Sequence, residues 1–168
     1  MTEIDYEQPV FTRQGDATVA RMQRLVDDTP ARVWAALTTP DILVQWLAPG
    51  EIDLRIGGAA KLNFVDSGIV IDSKVSAFED GRLLEYSWSG PDQPLRPLRF
   101  ELSPQGEATR LTLTLTEPAT EDVGRSCAGF AAHLEMLAAA LAGVPIKFPF
   151  ETFKAARDAY RAQLAAMG

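Results

Sequence analysis

The longest helical pattern in the sequence, Glu121 to Gly143 (EDVGRSCAGFAAHLEMLAAALAG), follows a succession of strand-like segments. That order restricts the fold more than any other feature. Phe130, Leu134, Leu137 and Leu141 recur at steps of four, three and four, which places them on one apolar stripe of an α-helix. Such a stripe must be buried against another element, and the segments before it supply one. The expected class is α+β: one long helix lying across a curved antiparallel sheet.

The sheet is legible from Ala17 onward. ATVARMQRLV alternates, with Val19, Arg21, Gln23 and Leu25 opposed to Thr18, Ala20, Met22, Arg24 and Val26. Thr29-Pro30 then gives a helix start, Thr29 as cap and Pro30 at the first position, with Val33, Trp34 and Leu37 as the buried stripe. Thr39-Pro40-Asp41 starts a second short helix carrying Ile42, Leu43 and Trp46. A meander follows: a strand at Glu51 to Arg55, a turn at Gly57-Gly58, and a strand at Lys61 to Val65 with Leu62 and Phe64 on one face. Asp66-Ser67-Gly68 turns into a strand from Gly68 to Phe78, with Ile69, Ile71, Val75 and Ala77 in phase. Arg82 to Ser89 carries Leu84, Tyr86 and Trp88 on one face, after the turn Glu79-Asp80-Gly81. Beyond a proline-rich loop, Leu98, Phe100 and Leu102 form one inner row and Leu111, Leu113 and Leu115 another, the latter against Thr112, Thr114 and Thr116. Thr120 is the expected cap of the long helix, with Glu121 and Asp122 in its first turn. Three segments result: a polar arm over 1–16, the main domain over 17–143, and an extension over 144–168 whose helix, Glu151 to Met167, carries Phe153, Ala156, Tyr160 and Leu164.

Composition narrows the partners. At 168 residues and 46% hydrophobic content the chain can bury one full core. A net charge of −7 disfavours nucleic acid and anionic membrane surfaces. The single cysteine, Cys127, permits no intrachain disulfide, as expected of a reducing, cytoplasmic location. No secretory signal is read at the N-terminus, and no apolar run approaches the roughly 20 residues of a membrane span. One histidine, one cysteine and scattered acids give no metal-ligand spacing, so neither metal nor cofactor is expected.

Several residues carry a family resemblance. Val33-Trp34, Thr38-Thr39-Pro40, Trp46-Leu47-Ala48-Pro49, the pair Gly57-Gly58, the strand Leu84-Glu85-Tyr86-Ser87-Trp88, and Gly129-Phe130 followed by Leu134 and Leu137 resemble the proteins related to the activator of the Hsp90 ATPase, within the START-like superfamily. Phe130 stands where that family usually has Trp. The resemblance covers roughly residues 18 to 143 and implies a helix-grip architecture of about six or seven antiparallel strands. With it comes an elongated apolar cavity between sheet and helix. Some relatives bind hydrophobic small molecules there, a few catalyse reactions, and others dock on a chaperone.

The candidate cavity residues are His133, Trp46, Trp88, Tyr86, Phe64, Phe100, Phe130 and Leu137. Aromatic walls with a few polar groups are characteristic of small-molecule pockets. Plain core packing is the favoured reading for Phe64 and for Trp34, whereas Trp46 and Trp88 fall toward a pocket or its mouth. His133, about one residue off the centre of the helix stripe, is either a satisfied structural histidine, the commoner role, or a contact for a ligand in the cavity. No nucleophile or carboxylate pair is arranged around it, so no catalytic residue is assigned. An apolar small molecule is the leading partner, a chaperone contact the alternative, and a cyclase or hydratase using His133 as acid–base the third. The terminal helix could cover the sheet, close the cavity or form a homodimer contact.

Overall fold

The structure, a computed structural model, describes residues 8–65 and 67–167. Residues 1–7 of the expected arm, Asp66 of the expected turn and Gly168 lie outside them. Eight strands form one open antiparallel sheet: β1 (Val10–Gln14), β2 (Ala17–Val26), β3 (Gly50–Ile52), β4 (Ala59–Phe64), β5 (Ile69–Glu79), β6 (Leu83–Ser87), β7 (Pro97–Gln105) and β8 (Ala108–Pro118). Their spatial order is β1-β2-β8-β7-β6-β5-β4-β3. Two short helices, α1 (Pro30–Thr38) and α2 (Pro40–Trp46), bridge β2 to β3, and α3 (Val123–Leu141) and α4 (Phe150–Ala166) end the chain. Among the described residues, no helix is long and apolar enough to cross a membrane.

The alternating rows become the inner face of the sheet. Ala20, Met22, Leu98, Phe100, Leu111, Leu113 and Leu115 are all buried and face Val123, Cys127, Phe130, Leu134 and Leu137 of α3. Thr29 accepts a hydrogen bond from the Arg32 amide, and Pro30 occupies the first turn of α1, as the sequence predicts. Gly50 allows β3 to lie close against β4, because a Cβ there would meet the Lys61 carbonyl oxygen at 2.1 Å.

Four expectations are corrected. Residues 10–14, expected only as part of a polar arm, form an edge strand, joined to β2 through Gly15 at φ 59°. Only Phe11 of β1 is buried, edge-on to Tyr160 of α4, so its burial depends on an element distant in sequence. In β5 the register shifts between Val75 and Ala77. This bulge turns Ala77 outward beside Glu85 and brings Phe78 in against Trp34, 6.1 Å between centroids. The cap of α3 is Asp122, which accepts from the Arg125 amide, and not Thr120. Glu121 instead takes a two-point ion pair from Arg96, at 2.8 and 2.6 Å, which carries the chain away from the position Thr120 would need. Finally, β3 spans only Gly50–Ile52, since Asp53 onward turns back toward Ala59.

The terminal helix α4 runs antiparallel along α3. Arg161 pairs with Asp122 at 2.5 Å near one end, and Thr152 donates to Glu135 at 2.8 Å near the other. Gly124 permits the approach, a Cβ there lying 3.2 Å from Leu164. The Gln163 amide also reaches the Pro9 carbonyl at 2.8 Å, so α4 is tied to the β1 end of the sheet as well.

Below that contact the inner face carries a buried carboxylate, Glu117, 3% exposed, whose Oε1 has no hydrogen-bond partner among the described residues. Burial raises its pKa above the ordinary 4.5; the Ser126 hydroxyl opposes this and the Glu121 charge adds to it. The folded chain therefore holds a proton that the unfolded chain has already released, and stability falls as pH climbs from about 4.5 through the raised value. Glu117→Gln removes the penalty. Urea melts should show a gain on the order of 1 kcal/mol at pH 8 that disappears near pH 4; a loss at pH 8 would mean that the carboxylate is stabilised where it lies.

Candidate functional site

The two short helices fix the first part of the site. Trp46, 0% exposed, ends α2, and its indole N–H donates to the Ala36 carbonyl at 2.7 Å. Ala36 lies in the last turn of α1, where carbonyls lack helical partners, so the indole both fills the core and satisfies one of these groups. The backbone carbonyl of Trp46 in turn faces α3 and lies 2.7 Å from Nδ1 of His133.

A carbonyl oxygen only accepts, so Nδ1 carries the proton in this bond. The ring also contacts two phenyl rings. Phe64 of β4 is 5.9 Å away at 66°, and Phe148, in the linker between α3 and α4, is 5.2 Å away at 62°. Burial lowers the pKa of His133 below the ordinary 6.5, with the Trp46 carbonyl opposing. The unfolded chain therefore takes up a proton first on acidification, and stability, complete above 6.5, declines as pH falls through that value. Thermal midpoints between pH 8 and 5 should fall more in the native chain than in His133→Gln. Equal slopes would remove His133 as the source. The carboxyls of Glu121 and Asp122, lowered by Arg96 and Arg161, act only in a more acidic window, below their ordinary values of 4.5 and 3.8.

Trp88 continues the cluster, edge-on to Phe64 at 5.7 Å and to Phe130 at 5.0 Å. A continuous aromatic row thus runs Phe130, Trp88, Phe64, His133, Phe148, and extends to the exposed Phe150 at 5.0 Å. Tyr86 and Phe100 form a separate, deeper pair, each 1% exposed, with centroids 6.4 Å apart. Tyr86 lies in β6, and Trp88 follows two residues later, just past the end of that strand. The Tyr86 hydroxyl bonds to no described residue, and burial alone raises its pKa.

Of the eight residues expected around a cavity, the structure brings Phe64, Trp88, Phe130 and His133 into one cluster. Trp46 reaches that cluster through its carbonyl, while its ring is committed to α1. Tyr86 and Phe100 lie beneath, and Leu137, 0% exposed, is core. Phe148 was not anticipated. Its signal is the composition of the linker, VPIKFPF, which is apolar where a solvated connection would be polar.

Cys127 is buried against Met22, and burial pushes its thiol up to about 12, which leaves no reactive thiolate at neutral pH. Among the described residues, no three His, Cys, Asp or Glu side chains gather as a metal site. A groove of roughly 510 Å³ lies beside β3, β4 and β5, lined by residues including Pro49, Glu51, Lys61, Asn63 and Asp72. None of the eight expected residues lines it, and it offers no aromatic side chain.

Comparison with known proteins places this geometry. The family model described as "Activator of Hsp90 ATPase homolog 1-like protein" matches residues 27–142. Among solved structures, CalU16 from Micromonospora echinospora superposes with a TM-score of 0.79 at 22% identity, over 94% of this chain and 97% of its own. The protein encoded by BPP1335 of Bordetella parapertussis has 31% identity and a TM-score of 0.72, over 96% of this chain and 94% of its own. DynU16, of the dynemicin biosynthetic locus, has 27% identity and a TM-score of 0.67, over 79% of this chain and 49% of its own. No match was found among curated proteins.

Proposed function

The chain belongs to the Activator of Hsp90 ATPase homolog 1-like family, and from that premise we propose that it binds an apolar or amphipathic small molecule between α3 and the inner face of the sheet. One observation carries this reading: the aromatic row of Phe130, Trp88, Phe64 and Phe148 takes in the imidazole of His133, whose Nδ1 is held by the Trp46 carbonyl and whose Nε2 bonds to no described residue. A polar atom left free to bond a ligand, set among aromatic walls, is what a small-molecule site presents. The origin of DynU16 in a biosynthetic locus supports a small molecule as partner. A chaperone-docking role has the family description as its support, whereas the small-molecule role has the chemistry of the cluster.

Catalysis is not assigned. His133 is held by a backbone carbonyl and two phenyl rings, and no described carboxylate hydrogen-bonds to it to orient it as a general base. Native mass spectrometry of protein purified gently from its source tests the proposal. A bound mass of a few hundred daltons or a thermal shift with flat aromatic probes is expected. A uniformly ligand-free protein that no such probe stabilises would overturn it.

A further inference from the structure

The hydrogen bond between His133 and Trp46 decides more than the position of a ring. Nδ1 faces a carbonyl oxygen at 2.7 Å and must donate. The imidazole also makes ring contacts with Phe64 and Phe148, and no described carboxylate bonds to it that would favour a second ring proton. A neutral imidazole with its proton on Nδ1 presents Nε2 as a bare acceptor. On the ring, Nε2 points away from Nδ1, and therefore away from Trp46. A ligand group meeting it must bring a proton of its own.

We infer that this site selects flat, neutral ligands carrying a hydroxyl or N–H that donates to Nε2 of His133, and that it rejects carboxylates. The inference rests on the small-molecule reading above and narrows its ligand class. A carboxylate offers only lone pairs to the Nε2 lone pair, and would lose its hydration among Phe64, Trp88, Phe130 and Phe148. Arg96 and Arg161 are committed to Glu121 and Asp122, about three turns before His133, and Lys147, next to Phe148, is exposed to solvent. A phenol-type hydroxyl satisfies Nε2 while its ring meets the edges of the aromatic row. Phe148 then acts as a positioning residue: with its ring centroid 5.2 Å from that of His133, it restrains the imidazole whose Nδ1 is tied to Trp46.

Three probes of similar size separate the possibilities: 2-naphthol, 2-fluoronaphthalene, which has no donor, and 2-naphthoate. Calorimetric titration at pH 7.5 should give 2-naphthol an affinity about three- to tenfold above 2-fluoronaphthalene, the effect of one neutral hydrogen bond. The naphthoate should bind weakest. In His133→Phe the first difference should vanish while 2-fluoronaphthalene still binds. The native chain supplies a second readout that needs no variant, since the ¹⁵N resonance of Nε2 should move with 2-naphthol and stay in place with 2-fluoronaphthalene. Equal affinity for those two probes, or tightest binding of the naphthoate, would overturn this inference and leave the small-molecule reading standing. Failure of all three probes to bind, together with a uniformly ligand-free native mass, would remove both.

Discussion

Trp46→Ala lowers the stability of the protein by about 3–5 kcal/mol, measured as the shift in ΔG from urea denaturation. The side chain is 0% exposed and makes three connections at once. Its rings fill the space where α1, α2 and α3 meet the sheet; its N–H closes the Ala36 carbonyl; and its backbone carbonyl holds Nδ1 of His133. Alanine leaves a cavity and an unsatisfied carbonyl at the C-terminal turn of α1. Trp46→Phe separates the two contributions. It keeps much of the volume, loses the N–H, and should cost about 1–2 kcal/mol. A loss below about 1 kcal/mol for the alanine variant would show that α1 and α2 are held together without the indole.

The second large effect concerns binding. Trp88→Ala should weaken 2-naphthol by about 30- to 100-fold while leaving a folded protein. Trp88 is only half-buried and sits at the centre of the aromatic row, in edge contact with Phe64 and Phe130. Deleting it removes on the order of 100 Å² of apolar surface available to a ligand, or about 2.5 kcal/mol at 25 cal/mol per Å². Trp88→Phe should recover most of the affinity, because an aromatic edge remains. Calorimetry checks the first number and circular dichroism checks the fold. Unchanged affinity in a folded variant would move the ligand away from the row, and the groove beside β3, β4 and β5 would become the place to look.

How far the sequence reaches is clear from particular residues. Rows with strict alternation, Leu111-Leu113-Leu115 and Leu98-Phe100-Leu102, declare their inner face locally, and both are buried in the structure. Thr29-Pro30 declares a helix start in the same way. Strand β1 does not, because it offers a single inward residue, Phe11, whose partner Tyr160 lies in the last helix. The bulge at Ser76 is likewise silent, since one inserted residue changes the phase without changing the composition. At the site, His133 and Trp88 are visible as types and positions, but Phe148 belongs to a connection with no periodicity to interpret.

The sequence by itself determined the class of the fold, the inner rows of the sheet and the stripe of α3. Each of these depends on side-chain period and local capping, which are properties of neighbouring residues. Tertiary structure alone decided which aromatic residues meet, that Trp46 turns its ring to α1 and its carbonyl to His133, and that α4 returns Phe148 to the same imidazole. The proton on Nδ1, and with it the acceptor offered at Nε2, follows from a hydrogen bond between residues 87 positions apart. Chemistry of that kind is a property of distances across the fold, and a local pattern carries no record of them.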